Sequence, residues 1–131
     1  MGYRSDVAIL LTKEAVDVLN SKLDSNDIDE NVRQSVQRLL YIADAHHIDA
    51  RTCAEVWHWE WIKWYSDDII NHADIKFIEN FLSRLNADDY LFIRIGENYE
   101  DIEIHGSSFD SAFNIELVRY INIDVPDKEV M

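Results

Sequence analysis

Two short patterns in this chain put chemistry-capable side chains at strand spacing: His58-x-Glu60 and Glu103-x-His105. In an extended strand, residues i and i+2 point the same way, so each pattern presents an imidazole and a carboxylate on one face. If the two strands were neighbours, His58, Glu60, Glu103 and His105 would converge into a set suited to a divalent metal or to acid–base work. The competing reading is that they are the solvent-facing residues of two amphipathic strands, contributing only modest cross-strand pairing. His58-x-Glu60 also matches the first half of a zinc-deaminase signature, but the second half needs two cysteines and Cys53 is the only one. The chain contains no His-Glu-x-x-His, no P-loop, no Gly-x-Gly-x-x-Gly and no Gly-x-Ser-x-Gly. His46-His47-x-Asp49 has ligand-type residues, yet adjacent side chains rarely face one way, and a histidine pair at a helix C-terminus is the simpler expectation. Cys53 has no histidine-containing motif beside it and reads as a buried or inert thiol. No cofactor is expected.

The elements that would have to position these residues begin with a strand over Tyr3 to Leu11, where Val7, Ile9 and Leu11 alternate with Asp6, Ala8 and Leu10. Thr12 stands at an N-cap, and Lys13 to Leu23 carries Ala15, Val16, Leu19 and Leu23 at helical spacing. Asp27 and Glu30 resemble a capping box ahead of a second helix with Val32, Val36, Leu39, Leu40 and Ala43 on one stripe. Ala45 to Thr52 reads as the connection out of it. A third amphipathic helix is expected over Asp74 to Leu85, then strands over Tyr90 to Ile95 and Tyr99 to His105. Gly96 is expected to supply positive φ in the hairpin loop between them, and Ile102 and Ile104 to point inward. Ser66 to His72 reads as a loop, and Ile121 and Ile123 suggest one more short strand. The order β-α-α-β-α-β-β, with a candidate last strand, argues for a single α+β domain over residues 1–131. Its architecture would be one mixed or mainly antiparallel sheet with helices packed on one face.

All four tryptophans fall within Trp57-His58-Trp59-Glu60-Trp61-Ile62-Lys63-Trp64-Tyr65. The stretch fits a helix, with Trp57, Trp61, Trp64 and Tyr65 on one side. It also fits a strand from Ala54 to Lys63 with Trp57, Trp59 and Trp61 sharing a face, and aromatic and β-branched content favours the strand. Those indoles could form a core platform under the helices, an exposed surface for a protein partner or a second copy, or a stacking platform for bases. Trp64 and Tyr65, past the strand end, are the candidates for partial exposure.

Twenty-six acidic residues against twelve basic ones give a net charge of −14. A field of that sign opposes direct binding to nucleic acid or to an anionic membrane, and suits a partner with a basic surface. Glu97, Glu100, Asp101 and Glu103 concentrate on the terminal hairpin, either as an acidic docking edge or as a solvated face that discourages sheet-edge pairing. The apolar run Val7 to Leu11 is too short for a signal-peptide core or a membrane span, and Asp6 breaks the myristoylation pattern that Met1-Gly2 would begin. A cytoplasmic protein is the expectation.

Gly2-Tyr3-Arg4-Ser5-Asp6-Val7, Trp59-Glu60-Trp61-Ile62-Lys63-Trp64-Tyr65, Ile75-Lys76-Phe77-Ile78-Glu79 and Tyr90-Leu91-Phe92-Ile93-Arg94-Ile95-Gly96-Glu97 together resemble small acidic proteins of unassigned function encoded by tailed phages and prophages. The similarity runs through most of the chain between Gly2 and Glu103, leaving residues 25–52 and the C-terminal tail individual to this sequence. None of its motifs is a catalytic signature. The resemblance implies an accessory protein working in the host cytoplasm, of the kind that often binds and inhibits a host protein of defence or of nucleic-acid metabolism. On residues alone, the leading expectation is a non-enzymatic protein-binding function, with Trp64, Tyr65, Glu97, Glu100 and Asp101 as candidate contacts. The alternatives are a small metal-dependent or acid–base enzyme using His58, Glu60, Glu103 and His105, and a homodimeric structural module.

Overall fold

Strong alternation makes Ser5–Leu11 strand β1, and its burial on both faces places it at the centre of the sheet. A computed structural model of the chain describes residues 2–65, 72–108, 113 and 115. After β1 come helices α1 (Lys13–Asp24) and α2 (Glu30–Tyr41), strands β2 (Ala45–Ile48) and β3 (Glu55–Ile62), helix α3 (Ala73–Ser83), a 3-10 turn (Ala87–Asp89), and strands β4 (Tyr90–Gly96) and β5 (Ile102–Gly106). The five strands form one sheet in the order β2-β3-β1-β4-β5, and every neighbouring pair is antiparallel. The element order anticipated from the sequence is borne out, with β2 added.

Each helix starts where local chemistry satisfies its free N–H groups or its apolar stripe begins. Thr12 Oγ1 accepts from the Ala15 N–H at 3.3 Å to cap α1. Asp29, rather than the Asp27–Glu30 pair, caps α2, its Oδ1 accepting from Asn31 at 2.8 Å and Val32 at 3.3 Å. Arg33 then reaches back from α2 to the Leu23 carbonyl at 2.5 Å and the Ser25 carbonyl at 2.6 Å, so one guanidinium serves two acceptors at the end of α1. The apolar stripes of the helices (Ala15, Val16, Leu19 and Leu23; Val36 and Leu39; Ile75, Ile78, Phe81 and Leu82) meet Val7, Ile9, Leu11, Trp57, Trp59, Tyr90 and Phe92 on one face of the sheet. Burial at about 1.5–3 kcal/mol per large side chain makes this layer the main stabilising contact of the fold. On the opposite face Leu10, Ala54, Val56, Leu91 and Ile93 form a second buried cluster, against which Ile95, Phe113 and Ile115 pack.

Several local expectations are corrected. Ala45–Ile48 is an edge strand, not a connection; its His-His-Ile composition hides it because among the described residues only one side is paired, and His46 lies flat on Trp57 with ring centroids 4.8 Å apart. The last strand begins at Ile102 rather than Tyr99, since Asp101 N–H donates to the Asn98 carbonyl and Gly96 N–H to the Asp101 carbonyl, closing a longer loop. Gly96 is not in the positive-φ region, which among the described glycines belongs to Gly106 at 87°. Its lack of a side chain serves another purpose, for a Cβ there would collide with Asp101 Oδ2 and Tyr3 Oη. Ile102 and Ile104 stay partly exposed on the second face. The loop expected over Ser66 to His72 and the last strand at Ile121 and Ile123 fall largely or wholly outside the described residues.

The Trp-rich segment is a strand, as its composition favoured, but its alternation is interrupted. Trp59 pairs with Val7 and Ile62 with Ser5, so three steps on β3 answer two on β1. Trp57 and Trp59 lie under the helices, while Trp61 sits at φ 60° in the bulge, 62% exposed. Beyond the bulge Ile62 returns to the helix-covered core.

Candidate functional site

The register decides the fate of the histidine–glutamate set. β3 and β5 are separated by β1 and β4, three strand spacings or about 14 Å. Successive partners His58, Ala8, Ile93 and Ile104 share one face, whereas Trp59, Val7, Arg94 and Glu103 share the other. His58 therefore lies on the opposite face from Glu103 and His105, and the four residues do not form one site. His58 Nε2 instead pairs with Asp6 Oδ1 at 2.6 Å, and the Glu60 N–H donates to Asp44 Oδ2 at 2.6 Å. Among the described residues no group of three or more His, Cys, Asp and Glu is arranged to hold a metal ion.

The other candidates move as well. Trp64 is buried, not exposed, and its Nε1 donates to Glu79 Oε2 at 2.8 Å. Tyr65 is half-buried with its ring edge-on to His72 at 5.2 Å. Glu97 accepts from the Arg4 N–H at 2.6 Å, Glu100 is exposed, and Asp101 accepts from Tyr3 Oη at 2.6 Å and from both terminal nitrogens of Arg94. His46 and His47 lie on β2 rather than at a helix end, and register places them on opposite faces. Cys53 is exposed at φ 64°, not buried.

Arg94 is the centre of the best-defined polar network. Its Nε donates to Glu103 Oε1 at 2.5 Å, its Nη2 to Asp101 Oδ1 at 2.6 Å and its Nη1 to Ser5 Oγ at 2.9 Å, joining β1, β4 and β5. Burial disfavours its charge, but the hydrogen bonds and charges of Asp101 and Glu103 outweigh that, holding the guanidinium above its ordinary pKa. This network ties the hairpin to the N-terminal strand and is structural.

Two features remain open to a ligand or partner. The first is a cleft of about 220 Å³ between α3 and β5, lined by Glu79, Leu82, Ser83, Tyr90, Phe92, Glu103 and His105. The imidazole of His105 stacks on Phe92 with centroids 5.8 Å apart, and its Nε2 is 3.6 Å from Glu103 Oε2. Glu103 and His105 were anticipated as site residues; Glu79 was not. A carboxylate four residues after Ile75 and three before Leu82, on the edge of the apolar stripe, was the available signal.

The second is a corner of exposed large apolar side chains. Trp61 protrudes from the bulge, and Tyr41 (88% exposed) and Ile42 close α2. The bond from Glu60 N–H to Asp44 ties the residue before Trp61 to a residue just past Ile42, bringing the bulge and the helix end together. Strand alternation alone cannot reveal this corner, because it assigns Trp61 to the buried face.

No helix among the described residues is long and apolar enough to cross a membrane. No protein-family model matches the chain, and neither a curated protein nor a solved structure shows significant similarity to it.

Proposed function

We infer that this chain is a non-enzymatic binding protein that docks through the Trp61 corner onto a protein partner with a basic surface. The observation that carries the reading is Trp61 itself. A left-handed conformation costs a bulky L-residue about 1–2 kcal/mol, and the exposed indole recovers none of that through core packing. Trp59 and Trp64, by contrast, are buried with their indole N–H groups bonded. Tryptophan is enriched among residues that dominate binding energy at interfaces, and Tyr41 and Ile42 supply the apolar surround. The net charge of −14 favours encounter with a basic protein and disfavours nucleic acid. In the phage-type setting that the sequence resembles, the action would be inhibition of a host protein in the cytoplasm.

The test is affinity capture from a bacterial lysate by the immobilised chain and by Trp61→Ala, at low and high salt. A basic protein retained by the parent chain, lost with Trp61→Ala and weakened by salt is the expected result. Retention that ignores Trp61 would overturn the assignment of the surface. Sedimentation at micromolar concentration separates the remaining occupant: a dimer that Trp61→Ala dissociates would make the partner a second copy of the chain.

A further inference from the structure

The cleft between α3 and β5 has an unusual charge balance for its size. Glu79 has the Trp64 indole as its partner and no cation among the described residues. Glu103 shares Arg94 with Asp101, so one guanidinium faces two carboxylates. The lining itself holds two carboxylates, Glu79 and Glu103, and neither lysine nor arginine. A second observation is independent of charge. Tyr90 lines the same cleft and is nine-tenths buried, yet its phenol makes no hydrogen bond with any described group. Buried hydroxyls almost always find a partner, so an unpaired one beside a cavity marks a place for an external group. Phe92, with the His105 imidazole stacked on it, adds a flat aromatic wall.

We propose that this cleft binds a guanidinium group. A planar cation can donate N–H hydrogen bonds to the free lone pairs of Glu79 and Glu103 while lying along an aromatic ring, which a compact ammonium does less well. The volume agrees with that size class. About 220 Å³ is below the roughly 300–1,000 Å³ of pockets for whole small molecules, and suits the end of one side chain. The guanidinium can come from an arginine of a protein partner or from a free alkylguanidine. The site is separate from the Trp61 corner and stands without it.

Trp64 provides the readout, because its indole N–H is bonded to Glu79. The isotope-labelled chain is titrated with N-acetyl-arginine amide and, as the uncharged isostere, N-acetyl-citrulline amide, following the indole N–H resonances. The arginine compound should move the Trp64 resonance at millimolar concentration, the citrulline compound should not, and Glu103→Gln or Tyr90→Phe should weaken binding by about tenfold. The Trp59 resonance, from an indole bonded to Leu39, reports whether each variant is folded. Tyr90→Phe keeps the ring, so it remains informative if Glu103→Gln disturbs the Arg94 network. Tighter binding of an acetyl-Gly-Arg-Gly amide than of agmatine assigns the guanidinium to a protein side chain; the reverse order assigns it to a free metabolite. Equal response to citrulline, a response confined to Trp61, or no response in the folded chain would overturn the proposal. Binding that persists in Trp61→Ala would leave it intact even if partner capture failed.

Discussion

The indole N–H of Trp59 donates to the carbonyl of Leu39 across 2.8 Å, and both residues are buried. Leu39 stands in the last turn of α2, where backbone carbonyls lack a helical partner. A side chain from β3 thus completes a helix end. Trp59→Phe keeps most of the ring but leaves that carbonyl unpaired, and should lower stability by about 1–3 kcal/mol. Urea unfolding should show a lower midpoint with an unchanged slope.

Arg94 should be the most sensitive polar position in the fold. Replacing it by Met leaves Asp101, Glu103 and Ser5 without their shared donor. The expected loss is about 2 kcal/mol, between the ~1 of exposed ion pairs and the 3–5 of fully buried ones. Because the folded guanidinium is held above its ordinary pKa, its contribution is fully present below arginine's usual range and lost only at more alkaline pH. The stability difference between the parent chain and Arg94→Met should therefore be flat from about pH 6 to 10, measured by denaturant unfolding across that range.

Glycine at position 61 separates folding from binding. Trp61→Gly removes the left-handed penalty, so stability should hold or rise by up to about 1 kcal/mol, while partner capture is lost. Thermal unfolding beside the capture assay checks both halves at once. A stability loss comparable to a core mutation would mean that the indole serves the fold.

Asp49 organises the turn that carries Cys53. Its Oδ2 accepts from the Thr52 hydroxyl at 2.6 Å and from the Thr52 N–H at 2.7 Å, bonds that hold its pKa below the usual aspartate value. The turn's contribution is thus present above the ordinary carboxylate range and fades as pH falls through the lowered value. Carboxyl NMR titration should find Asp49 low in the parent chain and raised in Thr52→Val, where the hydroxyl donor is gone.

Regular amphipathic periods made much of this architecture legible. The stripes of α1, α2 and α3 each follow from one buried face, and the apolar runs of β1 and β4 from burial on both faces of the sheet, so residue type alone places them. β2 escaped because an edge strand with His46 and His47 needs no apolar alternation. The candidate site was less legible, since it depends on which strands are neighbours. Glu103 and His105 were found, but joining them to His58 and Glu60 required an adjacency that the β3-β1-β4-β5 order denies. Glu79 and Tyr90 belong to the cleft only through tertiary packing. Trp61 was misplaced because strand alternation presumes an unbroken ladder.

That break has a consequence for the gene as well as the fold. Were position 61 deleted, Trp59 would still face Val7, Glu60 would fall opposite Asp6, and Ile62 would keep its place opposite Ser5. The sheet would close with every other pairing preserved, one codon shorter and free of its left-handed residue. β3 is thus one residue longer than its neighbour requires, and the surplus residue is the tryptophan that the protein displays.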